Sequence, residues 1–255
     1  MMPLHSPFPA QERILIYGPA GSGKTTAWLD IAKWSARTKS DARFYVLDTD
    51  FAVDRMVASY PEIHPNIVIQ TGYDWNDYMA FQRNVLANAR PHDWVIVDFV
   101  GTAWEAVQQH YIEEVFNKDI GDYFLYVRKA SNEKGLEGWT DWSVINGLYR
   151  QWFNPLIFKS RANVLCTAKA TPLSSDRNPT EDTTTRQTFL RYGVKPQGQK
   201  DLQYPFHTLL ITGRDAKGTR TISTVKDRER EEVSGLAVAS FTLDYLKNIA
   251  GWEMA

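Results

Sequence analysis

The chain of 255 residues carries 29 Lys+Arg against 30 Asp+Glu, five His and one Cys, and is 43% hydrophobic. That length suffices for one sizeable core with a small appendage, and the composition excludes a disordered or low-complexity chain. The balanced charge gives no bulk signal for a nucleic-acid or membrane-surface protein, no run approaches 18 apolar residues, and the lone Cys166 cannot form an internal disulfide. Residues 1–10 show no basic stretch followed by an apolar one, so the expected location is the reducing cytoplasm, with no membrane partner.

Short apolar runs alternate with longer helical patterns, which predicts an α/β fold with a mostly parallel central sheet flanked by helices. Residues 13–17 predict the first strand and 25–36 the first helix, followed by strands at 43–48 and 67–70. Asp74 is placed to cap a helix running to about Ala89, with Asp77 completing a capping box. The run 94–98 has the length and apolarity of a buried parallel strand. Helices are expected over 102–117 and 140–158, then a strand over 163–167. The segment 171–187, with two Pro and several Ser/Thr, reads as a mobile surface loop. Residues 207–212 and 219–225 predict a β-hairpin that turns at 215–218. The alternating charges of 226–232 suggest a solvated linker, and a C-terminal helix is expected within about 236–252, with 241–249 amphipathic and Gly251 near its end. No internal repeat divides the chain, so residues 1–255 read as one domain with a core of about 12–225.

Gly18-Pro19-Ala20-Gly21-Ser22-Gly23-Lys24-Thr25 matches the phosphate-loop pattern G-x-x-x-x-G-K-[ST] at every defined position, between a predicted strand and a predicted helix. Glycines let backbone N–H groups converge on phosphate oxygens, and the helix that follows offers its positive end to the same anion. Lys24 is then placed for the β- and γ-phosphates of ATP, and the Thr25 hydroxyl for Mg²⁺, with Thr26 completing the binding segment. Asp98 closes an apolar strand and is the candidate for holding Mg²⁺ through water. Phe99 follows where motor ATPases of the Asp-Glu type place a base, so the base must come from elsewhere. Asp50, in the Asp48-Thr49-Asp50 strand end, is the candidate for orienting the attacking water, against a turn-capping role for either Asp. The 43–48 strand fits an architecture in which an added strand separates the two nucleotide-binding strands.

Together, Gly18 to Thr26, the strand ends at Asp50 and Asp98, and the run 163–169 resemble the RecA-like P-loop ATPases, most closely the compact ones encoded by bacteriophages and implicated in recombination and single-strand annealing. The resemblance covers about residues 12–225, and its one specific motif is the phosphate loop. It implies a RecA-like core with ATP and Mg²⁺, assembly into a homo-oligomeric ring or filament, and single-stranded DNA and phage recombination or replication proteins as partners. For a phage-encoded chain the location would be the host cytoplasm. The family's acidic base falls on Asp50, more often Glu, and its Mg²⁺-associated acid on Asp98. Its polar strand-end sensor, usually Gln or His, falls on Lys169, which cannot accept a hydrogen bond from water. Family members bind DNA through loops in this region, where Arg177, Arg186, Arg191, Lys195 and Lys200 supply cations. Lys195, Lys200 or Arg191 would reach a neighbouring subunit's nucleotide.

Nine Trp is a high count, and Trp139, Trp142 and Trp152 concentrate before the 163–167 strand. Near-helical spacing of Trp142, Ile145, Leu148 and Trp152 favours core or subunit-interface packing, with base stacking as the alternative. The five His and Cys166 show no metal-ligand spacing. The expected function is a Mg²⁺-dependent ATPase working on single-stranded DNA. The alternatives are a small-molecule or nucleotide kinase with 177–191 as its lid, and a nucleotide-gated binding module with little hydrolysis.

Overall fold

The computed structural model describes residues 11–130, 135–136, 139–174, 180–228 and 230–250. In chain order the elements are β1 (Arg13–Gly18), α1 (Lys24–Arg37), β2 (Phe44–Asp48), α2 (Val53–Val57), β3 (Ile67–Thr71), α3 (Trp75–Asn88), β4 (Trp94–Asp98), α4 (Gly101–Phe116), α5 (Ile120–Lys129), α6 (Thr140–Phe158), β5 (Asn163–Pro172), α7 (Thr183–Phe189), β6 (Val194–Pro196), β7 (Thr208–Arg214), β8 (Arg220–Asp227) and β9 (Leu236–Ala237). The sheet runs β3-β2-β4-β5-β1-β7-β8-β9, and β6 pairs with the end of β5. All pairings from β3 to β7 are parallel, whereas β7–β8, β8–β9 and β5–β6 are antiparallel.

The period-2 alternation of side chains divides the core in two. Ile14 and Ile16 of β1, with Ile96 and Leu165, face α1 and the C-terminal Phe241 and Tyr245. Leu15 and Tyr17, with Val95, Val97 and Cys166, face α3, α4 and α6, where Trp152 is fully buried. The strands β1, β2, β4 and β5 are buried on both faces over residues 13–18, 44–48, 94–98 and 163–168, which is why they read as continuous apolar runs rather than alternating ones. Among the described residues no helix is long and apolar enough to cross a membrane.

The capping box on α3 forms as expected: Asp77 N donates to Asp74 Oδ1 at 3.0 Å, and Asp77 Oδ2 accepts from Asp74 N at 3.2 Å. Four expectations are corrected. The strand that separates β1 from β4 is β5, which pairs with both, whereas β2 lies on the other side of β4, between it and β3. The segment 171–187 is not all loop: β5 continues to Pro172, and α7 starts where Asp182 caps Thr185 N at 2.8 Å. The 226–232 run is structural, since β8 extends to Asp227 and Arg230 pairs with the covered Glu12 at 2.6 Å. Finally, 236–250 begins as a strand and passes through a 3-10 turn, Val238–Ser240, into a short π-helical segment, Thr242–Lys247. Gly251 lies outside the described residues.

Arg13 fastens the rear of the sheet to α6. Its guanidinium donates to Ile157 O (2.7 Å), Ala162 O (2.8 Å) and Ser160 O (3.2 Å), carbonyls left over where α6 ends and β5 begins. Burial lowers its pKa to about 10, so it stays charged at neutral pH. Arg13→Met would keep the aliphatic volume and orphan those carbonyls. Urea denaturation should show it less stable by about 3 kcal/mol, with an unchanged m-value.

Candidate functional site

Parallel pairing brings the ends of four strands to one edge of the sheet. Gly18 stands in register with Lys169, and Asp48 with Asp98. Between β1 and α1 the phosphate loop turns through Gly21 (φ 69°) and Gly23 (φ 102°), left-handed conformations that suit glycine. A Cβ on Gly18 would come within 2.6 Å of Thr212 O, so this position is closed to any side chain. Ser22 Oγ donates to Pro19 O at 2.7 Å and lies 2.6 Å from Thr212 Oγ1, bracing the loop against β7. No side chain caps α1 and no acid sits in its first turn, which leaves its N-terminal N–H groups facing the cleft for an anion.

Lys24 reaches back over the loop. Its ammonium donates to Gly18 O (3.0 Å) and Pro19 O (2.9 Å) and lies 5.1 Å from the centre of the Phe99 ring. Burial lowers its pKa, and the charges of Asp98 and Asp50 act in the opposite direction. Asp98 is buried at the end of β4 and receives three donors. Thr25 Oγ1 donates to Oδ2 at 2.8 Å, Trp28 Nε1 to Oδ2 at 3.1 Å, and Thr167 Oγ1 to Oδ1. Its pKa is nevertheless raised, because burial outweighs those bonds.

The two acids after β2 separate in role. Asp48 is buried and accepts from Val53 N (3.0 Å) and Asp50 N (3.3 Å), so it shapes the turn. Asp50 lines the cleft. Although much of the residue is in contact with solvent, the partial covering of its carboxyl, then the charges of Asp98 and Asp48, raise its pKa to about 6. Lys169 is exposed at the end of the buried part of β5, with its ammonium 5.5 Å from the Phe99 ring centre. Phe99 is thus flanked by two ammonium groups, an arrangement favourable to an aromatic face.

These residues line an open cleft of about 560 Å³, with Gly18 to Gly21, Gly23 to Thr26, Asp50, Phe99 and Lys169 on its walls. The donor set fits Mg²⁺-ATP: a hydroxyl beside a carboxylate for a hard cation, and glycine-shaped backbone plus ammonium for phosphates. Among the described residues no group of three or more His, Cys, Asp or Glu is arranged for a metal, so the cation would depend on Thr25, Asp98 and the nucleotide's own oxygens.

The cations assigned to DNA or a neighbour are not gathered at this cleft. Lys195 forms an ion pair with Glu181 at 2.7 Å, a bond that leads in holding the Glu181 pKa at about 2. Arg186 donates to Ser174 O at 3.0 Å. Arg191 stacks on Tyr192 and approaches Glu232 at 3.6 Å. Lys200 is exposed on the far side of β6, and Arg177 lies outside the described residues. Sequence reasoning missed four contributors: Trp28 and Thr167 on Asp98, and Arg220 and Arg214 beside the loop. Arg220 lines the cleft with Nη1 3.5 Å from Thr26 Oγ1, and Arg214 donates to Gly21 O at 3.1 Å. Their only sequence signal is two Arg flanking the 215–218 turn, nearly the whole chain away from the loop they touch.

Comparison with known proteins agrees with this geometry. A family model described as an AAA domain matches residues 10–230. No curated protein matches the sequence. The crystal structure of a RadB recombinase aligns with a TM-score of 0.50 at 17% identity, covering 88% of this chain and 86% of that one. A KaiC-like protein from the hyperthermophilic archaeon Pyrococcus horikoshii OT3 aligns with a TM-score of 0.51 at 14% identity, covering 89% and 83%. The fold is therefore the RecA-like P-loop fold, with its mostly parallel sheet between helices.

The raised Asp50 pKa carries a consequence for stability. Its ordinary value is 3.8 and its folded value about 6, so folding favours the protonated acid. That stabilisation is complete at pH values below the ordinary pKa and is lost as pH rises through about 6. Asp50→Asn should therefore melt at a higher temperature than the wild type at pH 8, and the difference should shrink towards pH 4. Thermal melts across that range check the sign.

Proposed function

The chain belongs to the AAA domain family, and from that premise we propose that it binds ATP with Mg²⁺ and hydrolyses it while acting on single-stranded DNA. The observation that carries the nucleotide part is the contact between Thr25 Oγ1 and Asp98 Oδ2, which joins the first turn of α1 to the end of β4 directly below the phosphate loop. A divalent cation held there would neutralise charge on the phosphates. Loop amides and the α1 N-terminus hold the phosphate chain, and Lys24 leaves the Gly18 and Pro19 carbonyls for the β- and γ-oxygens. Asp50 orients water for in-line attack on the γ-phosphorus. As the bond to the β-γ bridging oxygen breaks, negative charge grows on ADP, and Lys24 and the loop amides stabilise it. Asp50 takes the proton of the attacking water, a role that a carboxyl with a pKa near 6 performs in its ionised form.

Lys169 contributes charge rather than hydrogen-bond acceptance. Arg220 adds a guanidinium contact to the nucleotide from β8, beside the ammonium groups of Lys24 and Lys169. The recombinase named among the structural neighbours supports the choice of single-stranded DNA as partner, and the work would be phage recombination or replication in a host cytoplasm. Assembly into a ring or filament would bring a neighbour's cation to the cleft. Of the candidates, Lys195 is engaged by Glu181 and Arg191 by Tyr192 and Glu232, so either would have to exchange those contacts on assembly. The kinase reading loses its lid, since Arg186 and Arg191 turn onto Ser174 O and Thr224 O.

Steady-state ATP hydrolysis with and without oligo(dT) tests the proposal. Lys24→Ala should lose at least about a hundredfold in kcat. The wild-type kcat/KM should fall on the acid side with a midpoint near 6, and Asp50→Asn should lack that limb while losing most of kcat. Arg220→Ala should raise the KM for ATP several-fold with a smaller change in kcat. Nucleotide bound without turnover in any condition would replace the ATPase with a nucleotide-gated module.

A further inference from the structure

The helix α6 carries a stripe at four-residue spacing: Trp142 and Asn146, both half-buried, then Arg150, Asn154 and Phe158, all exposed. At the N-cap of the helix, Trp139 is 88% exposed, and Phe158 at the other end is 66% exposed. The stripe forms one wall of two adjoining clefts of about 580 and 350 Å³, which meet at Arg150, Gln199 and Asp201 and together make up a groove along α6. The opposite wall is the segment after β6, tied across by Gln199 Nε2 donating to Asn146 Oδ1 at 3.0 Å. Behind Trp142 lies Trp104, with rings 6.1 Å apart and 23° from parallel. The 19 residues of α6 give the groove a length of roughly 28 Å.

Its chemistry alternates. Aromatic faces stand at both ends, and Arg150, which makes no hydrogen bond or ion pair among the described residues, stands between them with an amide on either side. Lys200 lines the same groove, and Asp201 is its one carboxylate. Four other cations nearby are engaged: Arg228, which also lines the groove, donates to Tyr204 O, Lys195 pairs with Glu181, Arg186 donates to Ser174 O, and Arg191 meets Tyr192 and Glu232. An interface with an apolar protein would leave Arg150 buried without a partner, which is costly. A polymer that alternates flat bases with anionic phosphates satisfies both kinds of group.

We propose that this groove is the binding site for single-stranded DNA, with Trp139, Trp142 and Phe158 stacking bases and Arg150 and Lys200 contacting phosphates. The inference rests on the DNA reading above and relocates it from the loop after β5 to the face of α6.

The test measures binding of fluorescein-labelled oligo(dT) by anisotropy and by quenching of tryptophan fluorescence, over a series of salt concentrations, in the wild type, Trp139→Ala, Arg150→Glu and Arg191→Ala. Trp139 and Arg150 are exposed, and a thermal melt checks each fold. The wild type should bind with quenching. Trp139→Ala should weaken binding about tenfold at an unchanged salt slope. Arg150→Glu should weaken it and reduce the slope by about one, and Arg191→Ala should bind as the wild type does. Wild-type binding that Trp139→Ala and Arg150→Glu leave intact overturns the groove and leaves the DNA reading standing. No binding by a wild type that still hydrolyses ATP overturns the DNA reading itself. A Trp139→Ala variant that changes the sedimenting mass and not the DNA affinity overturns the proposal in favour of a contact between copies of this chain.

Discussion

The carboxylate of Asp98 is the constraint on which the site depends. It ends a strand in the middle of the sheet, where burial disfavours its charge, and is held by hydroxyls from α1 and β5 and an indole N–H from α1. Each donor has a second job. Thr25 opens the first helix turn, Thr167 lies on the strand that separates β4 from β1, and Trp28 fills the core beneath α1. A shift of any of the three elements would leave a buried charge short of donors, so the carboxylate and the phosphate loop are positioned together. The same burial that raises its pKa makes a nearby cation valuable, because charges attract more strongly where water is excluded.

A comparable division of labour appears one strand away. Asp48 and Asp50 are two residues apart and chemically identical, yet the backbone N–H groups of Val53 and Asp50 claim Asp48, while Asp50 is left at the cleft. Their separation is produced by the turn rather than by residue type. Partial burial of its carboxyl, then the like charges of Asp98 and Asp48, raise the proton affinity of Asp50 above that of an ordinary carboxylate.

What was readable beforehand follows from how local each signal is. Buried parallel strands announce themselves as unbroken apolar runs, the α3 cap lies within four residues, and the phosphate loop is contiguous, so all three were legible. Sheet order was not. The apolar runs of β2 and β5 are alike, and only three-dimensional pairing tells which one inserts beside β1. Thr167 reads as one more β-branched residue inside a strand, and Arg220 as one charge in a hairpin, because their partners lie 69 and 194 residues away. The loop after β5 looked mobile by composition, yet Asp182, Glu181 and Lys195 order part of it through contacts that no periodicity reveals. Helical spacing did find the apolar face of α6 that buries Trp152, but not that Trp139, at the N-cap of the helix, would face solvent.

The nucleotide cleft and the α6 groove are joined by a short stretch of backbone. Gln197 N donates to Lys169 O at 2.8 Å, and Gln197 O packs so closely on Gly101 that a Cβ there would lie 2.8 Å away. Lys169 lines the first site, and Gln199 and Lys200 line the second. Movement of the 197–200 segment therefore cannot leave the start of α4, just past Asp98 and Phe99, undisturbed. If phosphate contacts at Lys169 favour one position of that segment, a polymer gripping Gln199 and Lys200 in the same position must tighten nucleotide binding by an equal factor, since linkage of two sites is reciprocal. The antiparallel pairing of β6 to the end of β5 fixes the 194–196 stretch to the strand that carries Lys169, so the two lining segments share one piece of sheet.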